Sequence, residues 1–164
     1  MSTGSSSHVR IALVSVHHGN TEKVAEAIAE VLGTAVVAPE DLTSADVRAC
    51  DLLGFGSGIY SGKHHRRLRD LVDRLPTIEG ARAFVFSTFG APGIAATASF
   101  VAGNHRSLRE RLQYKGFTIV GEFACPGHNT NSFLRFTGGL NRGHPDNADL
   151  ERAKAFARNL RSSG

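Results

Sequence analysis

Residues 9–16, VRIALVSV, form a short apolar, β-branched run with almost no polar alternation. Such a run suits a strand buried on both faces, the condition of a parallel sheet covered by helices on either side. Residues 51–57 (DLLGFGS), 82–87 (RAFVFS) and 117–124 read as further strands, and 34–38 as another. Helical spacing fills the intervals. Asn20 or Thr21 is expected to cap a helix whose Val24, Ala27, Ile28, Val31 and Leu32 share one face, with Gly33 as its stop. Residues 64–75 place Leu68, Leu71, Val72 and Leu75 inward before Pro76, residues 107–115 end at Gly116, and residues 149–160 align Leu150, Ala153, Phe156, Ala157 and Leu160. Residues 41–48 are polar, with room for one short helical turn. This alternation implies right-handed crossovers and a doubly wound α/β fold with a five-stranded parallel sheet, order 2-1-3-4-5.

A chain of 164 residues with 41% apolar and 21% charged content suits one domain, expected over residues 9–161, after a disordered Ser/Gly-rich tail at 1–8. No apolar run is long enough for a membrane span, and the tail lacks the apolar segment of a secretory signal. Cys50 and Cys125 form no CxxC pair, so a reducing, cytoplasmic setting without a disulfide is expected. The net charge of +4 favours an acidic partner. Two stretches, 90–104 and 126–147, resist assignment. Both follow strands at the carboxyl edge of the sheet, where ligands of open α/β folds bind.

Val16-His17-His18-Gly19-Asn20-Thr21 joins the first strand to the first helix. A helix start offers free N–H groups and a dipole that favours an anion, and glycine lets a phosphate approach the backbone. On position alone, the same residues serve equally well as a turn and cap. Two other glycine-rich stretches fail as phosphate motifs. Gly54-Phe55-Gly56-Ser57-Gly58 lacks GxGxxG spacing, and Gly58 to Lys63 has a P-loop spacer one residue short, with His64 where Ser or Thr is needed.

From Val9 to Leu160 the chain resembles the flavodoxin family, whose first loop reads Ser/Thr-x-Thr-Gly-Asn-Thr. Gly19, Asn20, Thr21 and Glu22 match it, whereas Val16, His17 and His18 replace its hydroxyl residues. The resemblance implies FMN as cofactor, with its phosphate on this loop. The histidines would supply ring N–H donors and, when protonated, charge, so FMN affinity would fall as pH rises. An affinity unchanged between acidic and alkaline pH would rule this out. The resemblance also assigns Ser57-Gly58-Ile59-Tyr60-Ser61-Gly62 to the second flavin loop. Tyr60 would cover one ring face, and the Ser61–Gly62 peptide would meet N5 and flip with redox state. Ser87-Thr88-Phe89-Gly90 matches the third loop, with Phe89 either a second wall or a core residue at a strand end.

Other chemistries are excluded by spacing. Eight histidines make no HxxxH, HExxH or Cys/His cluster for a metal. Cys125 lacks the arginine a phosphatase loop requires, since Asn131 stands there. The third strand also ends without the aspartate of a receiver domain. Lys63, His64, His65, Arg66, Arg67 and Arg69 form either a solvated face or a docking patch for an acidic redox partner or anionic substrate. Without interleaved aromatics they do not point to nucleic acid. No side chain stands out as an acid, base or nucleophile.

Three functions follow. The first is an electron carrier serving a partner protein. The second is an FMN-dependent oxidoreductase acting on a small molecule such as a quinone or tetrapyrrole. It draws on residues 126–147 as a wall, with Arg135, Arg142 and His144 available to an anionic substrate. Those residues would otherwise only pack Phe133, Leu134 and Phe136 on the sheet. The third is a non-redox regulatory or scaffold domain.

Overall fold

A computed structural model describes residues 7–130 and 132–164, so most of the expected N-terminal tail lies outside the described residues, as does Asn131. Five parallel strands run in the order β2 (Val36–Val37), β1 (Val9–Val14), β3 (Leu52–Tyr60), β5 (Arg82–Phe89) and β6 (Thr118–Pro126). This is the doubly wound order expected from the alternation of strand and helix. A short extra strand, β4 (Lys63–His64), doubles back antiparallel on the end of β3. Its turn, Ser61–Gly62, has φ of 51° and 74°, the left-handed pair of a two-residue hairpin.

Helices α1 (Asn20–Leu32) and α5 (Asn147–Ser162) cover one face, and α3 (Arg66–Arg74) and α4 (Ala98–Tyr114) the other. The small α2 (Ser44–Ala49) is held by a Thr43–Asp46 capping box. Alternation along the strands divides the core. Ala12, Val14, Leu53, Phe55, Ala83 and Val85 join the α3/α4 layer. Ile11, Leu52, Phe84 and Phe86 join the α1/α5 layer. Cys50 packs on the first cluster and Cys125 lies in the second, so the sheet separates the two thiols. Gly54 and Gly56 have a packing cause. A Cβ on either would lie 2.3 Å or 2.1 Å from the rings of Phe84 and Phe86, which lie across β3. Among the described residues no helix is long and apolar enough to cross a membrane.

Several boundaries differ from expectation. The cap of α1 is neither Asn20 nor Thr21 but Gly19, at φ 63°, and both expected caps are inside the helix. His64 is in β4 rather than α3, because the His65 side chain accepts from the Arg67 N–H and sets the helix start. α4 begins nine residues before position 107, at Ala98, where the Thr97 side chain accepts from Phe100 N–H. That start falls in the stretch left unassigned. Residues 127–146 contain a 3-10 turn, Ser132–Thr137, and a bridge between Asn129 and Leu140.

Candidate functional site

β1, β3, β5 and β6 all end at one edge of the sheet, and the loops that follow them line one cleft. Its empty volume is about 500 Å³, much of it open to solvent. The first loop contributes Val16, His17, His18, Asn20 and Thr21; the second, Gly58, Ile59 and Tyr60; the third, Thr88, Phe89 and Gly90. These eleven of the sixteen residues singled out in the sequence come from three separate segments. A fourth segment, Gly127 to Thr130, completes the lining.

The floor is the start of α1. No side chain caps this end: the Asn20 N–H reaches the His17 carbonyl at 3.5 Å, and the next N–H groups of the turn have no side-chain acceptor. Thr21 and Thr88 are buried and share a hydrogen bond of 2.8 Å between their hydroxyls, fixing α1 to the tip of β5. Asn20 Nδ2 is not free for a ligand: it donates to the His128 carbonyl at 2.9 Å. A Cβ on Gly19 would stand 3.4 Å from Glu22 Oε2, which places that carboxylate close to the loop.

Tyr60 is half-buried and folds back over Gly58, where an added Cβ would come 3.0 Å from its hydroxyl. His65 meets its ring edge-on at 5.3 Å, and His17 lies 6.3 Å away. Burial pushes the Tyr60 hydroxyl up from its ordinary pKa, so it remains a neutral phenol. Phe89 reaches the cleft but is 3% exposed, its ring edge-on to Phe100 at 5.4 Å. It is therefore a core residue at the strand end that also borders the cleft.

The remaining five residues are placed differently. Gly19 contributes only backbone, and Ser61 and Gly62 are exposed at the hairpin turn. Ser57 and Ser87 face away from the α1 side, because odd-numbered positions of β3 and β5 point into the α3/α4 layer. There, Ser57 Oγ meets His64 Nδ1 at 3.0 Å and Ser87 Oγ meets His105 Nε2 at 2.7 Å. The two imidazoles are fully buried, with centroids 5.0 Å apart. Burial, then the neighbouring His105 and Arg69, hold His64 well below the usual histidine range. Beside them, Glu122 is held low by its His105 contact and, against the cost of burial, by Arg109, whose Nη1 donates at 2.8 Å.

The cationic start of α3 is less charged than its sequence. Arg67 donates to both oxygens of Glu40, Arg66 pairs with Asp70 at 3.4 Å, and Arg69 donates to the His64 carbonyl. In the long segment, His144 Nδ1 lies 2.6 Å from Asp149 Oδ2, and Arg152 also bonds that carboxylate. Burial raises Asp149, but the Asp146 N–H, His144 and Arg152 outweigh it and keep its carboxyl below the usual range. His144 is thus committed to the start of α5. The three ligand-type groups gathered there, His144, Asp146 and Asp149, are engaged in the same cap. Phe136 is 77% exposed rather than packed on the sheet, and the Phe133 and Arg135 side chains lie outside what the structure describes.

The sequence places residues 126–147 at this edge as a wall but singles out only Arg135, Arg142 and His144; the residues of that segment that line the cleft are Gly127, His128, Asn129 and Thr130.

Residues 11–118 match the family described as Flavodoxin domain. An uncharacterized protein of Methanocaldococcus jannaschii is 39% identical over 146 residues, covering 89% of this chain and 93% of that protein. Among solved structures, oxidised Flavodoxin 2 from Bacillus cereus is similar with a TM-score of 0.68 at 20% identity, covering 96% of this chain and 100% of that one. The NAD(P)H:quinone oxidoreductase from Methanothermobacter marburgensis is similar with a TM-score of 0.69 at 16% identity, covering 94% and 96%.

Proposed function

The chain belongs to the flavodoxin domain family, and from that premise we propose that it is an FMN-binding redox protein that passes electrons to a partner protein. One observation carries this reading: three loops distant in sequence converge on one cleft around an uncapped helix start. That floor suits a phosphate, since it offers backbone donors and the positive end of a thirteen-residue helix. The walls suit a flat ring, with Tyr60 on one side and Phe89 reaching the cleft from the core.

FMN, when bound, supplies one- or two-electron transfer. The chain's own part is to hold and shield it. The α1 N–H groups and Thr21 would take the phosphate, with Thr88 fixing the Thr21 hydroxyl. Tyr60, braced by His65, would exclude water from one ring face. The Ser61–Gly62 turn, left-handed at both residues, would present its peptide to the polar edge of the ring. Electrons would leave through the hairpin side of the cleft, where exposed Lys63 and the net charge of +4 favour an acidic partner surface. Purified protein should be yellow or take up added FMN; colourless protein that binds none would overturn the proposal in favour of a non-redox role.

A second reading, an FMN-dependent oxidoreductase with a small-molecule substrate, is supported by the fourth segment. Gly127 to Thr130 add a wall to the cleft that could shape a substrate site. Photochemical reduction of the bound flavin, followed by addition of quinones without any partner protein, separates the two. Rapid selective reoxidation supports the enzyme, and inertness supports the carrier.

A further inference from the structure

Residues 127–130 leave β6 and fold back over the start of α1. The joint consists of directional contacts. The His128 carbonyl accepts from Asn20 Nδ2 at 2.9 Å, and His18 Nε2 meets Thr130 Oγ1 at 2.8 Å. The His18 and His128 rings lie against each other, centroids 4.7 Å apart and tilted by 33°. His128 Nε2 donates to the Gly138 carbonyl at 3.0 Å, and Asn141 Nδ2 ties the returning chain to the Ala91 carbonyl at 2.7 Å. Side chains are excluded at the closest approaches. A Cβ on Gly127 would lie 2.8 Å from Asn20 Nδ2, and one on Gly139 would lie 2.6 Å from His128 Nε2.

Core packing does not account for this joint. His18 is exposed and His128 only half-buried, yet His18 holds φ at 56°, a left-handed conformation that is costly for a non-glycine residue. The strain lies beside the open helix end, and both rings and the Thr130 hydroxyl line the cleft.

We propose that His18, His128 and Thr130 form a clasp that grips a phosphate monoester at the α1 start and makes ligand binding depend on it. The clasp rests on the FMN reading and adds the source of its phosphate selectivity. It supplies the Thr130 hydroxyl, oriented by His18 and backed by the His128 ring, at a loop where Val16, His17 and His18 carry no hydroxyl. When His18 Nε2–H donates to Thr130, the Thr130 proton is available to an anion. Two of the three clasp residues come from a segment more than a hundred residues away in sequence, so phosphate binding and docking of residues 127–130 are linked.

The test compares FMN with riboflavin, which lacks the phosphate, by flavin fluorescence titration of the full chain and of His18→Ala, His128→Ala and Thr130→Val. The wild-type chain should prefer FMN. His18→Ala and Thr130→Val should each lose about tenfold in FMN affinity, the scale of one charge-assisted hydrogen bond. Riboflavin affinity should stay within about twofold. Hydrogen exchange of the wild-type chain should show amides 127–130 protected by FMN and not by riboflavin, an outcome independent of how the variants fold. An FMN-to-riboflavin ratio unchanged in all three variants, or equal protection by both flavins, would overturn the clasp while leaving the flavin site intact. A wild-type chain that binds neither flavin would overturn both.

Discussion

At the scale of single residues, buried positions are set by partners remote in sequence. Gly54 and Gly56 sit in a run that resembles a phosphate motif, yet their cause is the pair of phenylalanine rings from β5 lying over them. Gly56→Ala should cost about 1–3 kcal/mol of stability through overpacking against Phe86, measured by denaturant unfolding; an unchanged midpoint would show that the ring moves aside freely. His64 carries a pH prediction. It is buried neutral, and its folded pKa lies well below its ordinary value of 6.5. The unfolded chain therefore binds the proton first, so stability is full above about pH 6.5 and falls as pH drops below it. The melting temperature should decline on acidification from pH 7 to 5, and His64→Gln should flatten that slope. An equal slope in both proteins would place the sensitivity elsewhere. Neither the His64–His105 contact nor the inward turn of Ser57 and Ser87 could be read from the sequence. The two serines follow strand alternation once β3 and β5 are known to continue to Tyr60 and Phe89.

At the scale of elements, helix ends shape the cleft more than helix bodies. α1 was legible from its apolar spacing, but its cap was not: the left-handed Gly19 takes the place of a side-chain cap and leaves the first turn open. Thr21→Val should weaken FMN binding by removing a hydroxyl at that turn and breaking its bond to Thr88. Tyr60→Ala should weaken FMN and riboflavin alike, because a ring wall recognises the part the two flavins share. A loss confined to FMN would assign Tyr60 to the phosphate instead. The first turns of α4 were hidden because Gly103 and Asn104 interrupt any apolar stripe, and only Leu108 and Leu112 carry one. Its start is marked by Thr97, so Thr97→Ala should cost about 1 kcal/mol in thermal or denaturant unfolding.

At the scale of the whole molecule, the strand order was legible because every both-faces-buried strand is followed by an amphipathic helix, and right-handed crossovers leave few arrangements. The attachment of the segment after β6 was not. It is attached through Asn20, Asn141, His128 and one Asn129–Leu140 bridge, contacts that leave no periodic trace in a sequence. Charge gives a similar contrast. The basic run at α3 suggested a patch, whereas the folded chain sets Arg67 against Glu40 and Arg66 against Asp70. On the proposed reading, the loops after β1, β3 and β5 hold FMN at one sheet edge, with the segment after β6 closing the cleft. Titration of the cofactor-free chain with FMN, followed by flavin fluorescence and visible absorbance, tests it most directly. The chain should take up one FMN saturably with a shifted flavin spectrum, and uptake should be weakened in Tyr60→Ala and Thr21→Val. A chain that leaves the FMN signal unchanged at saturating protein would contradict it.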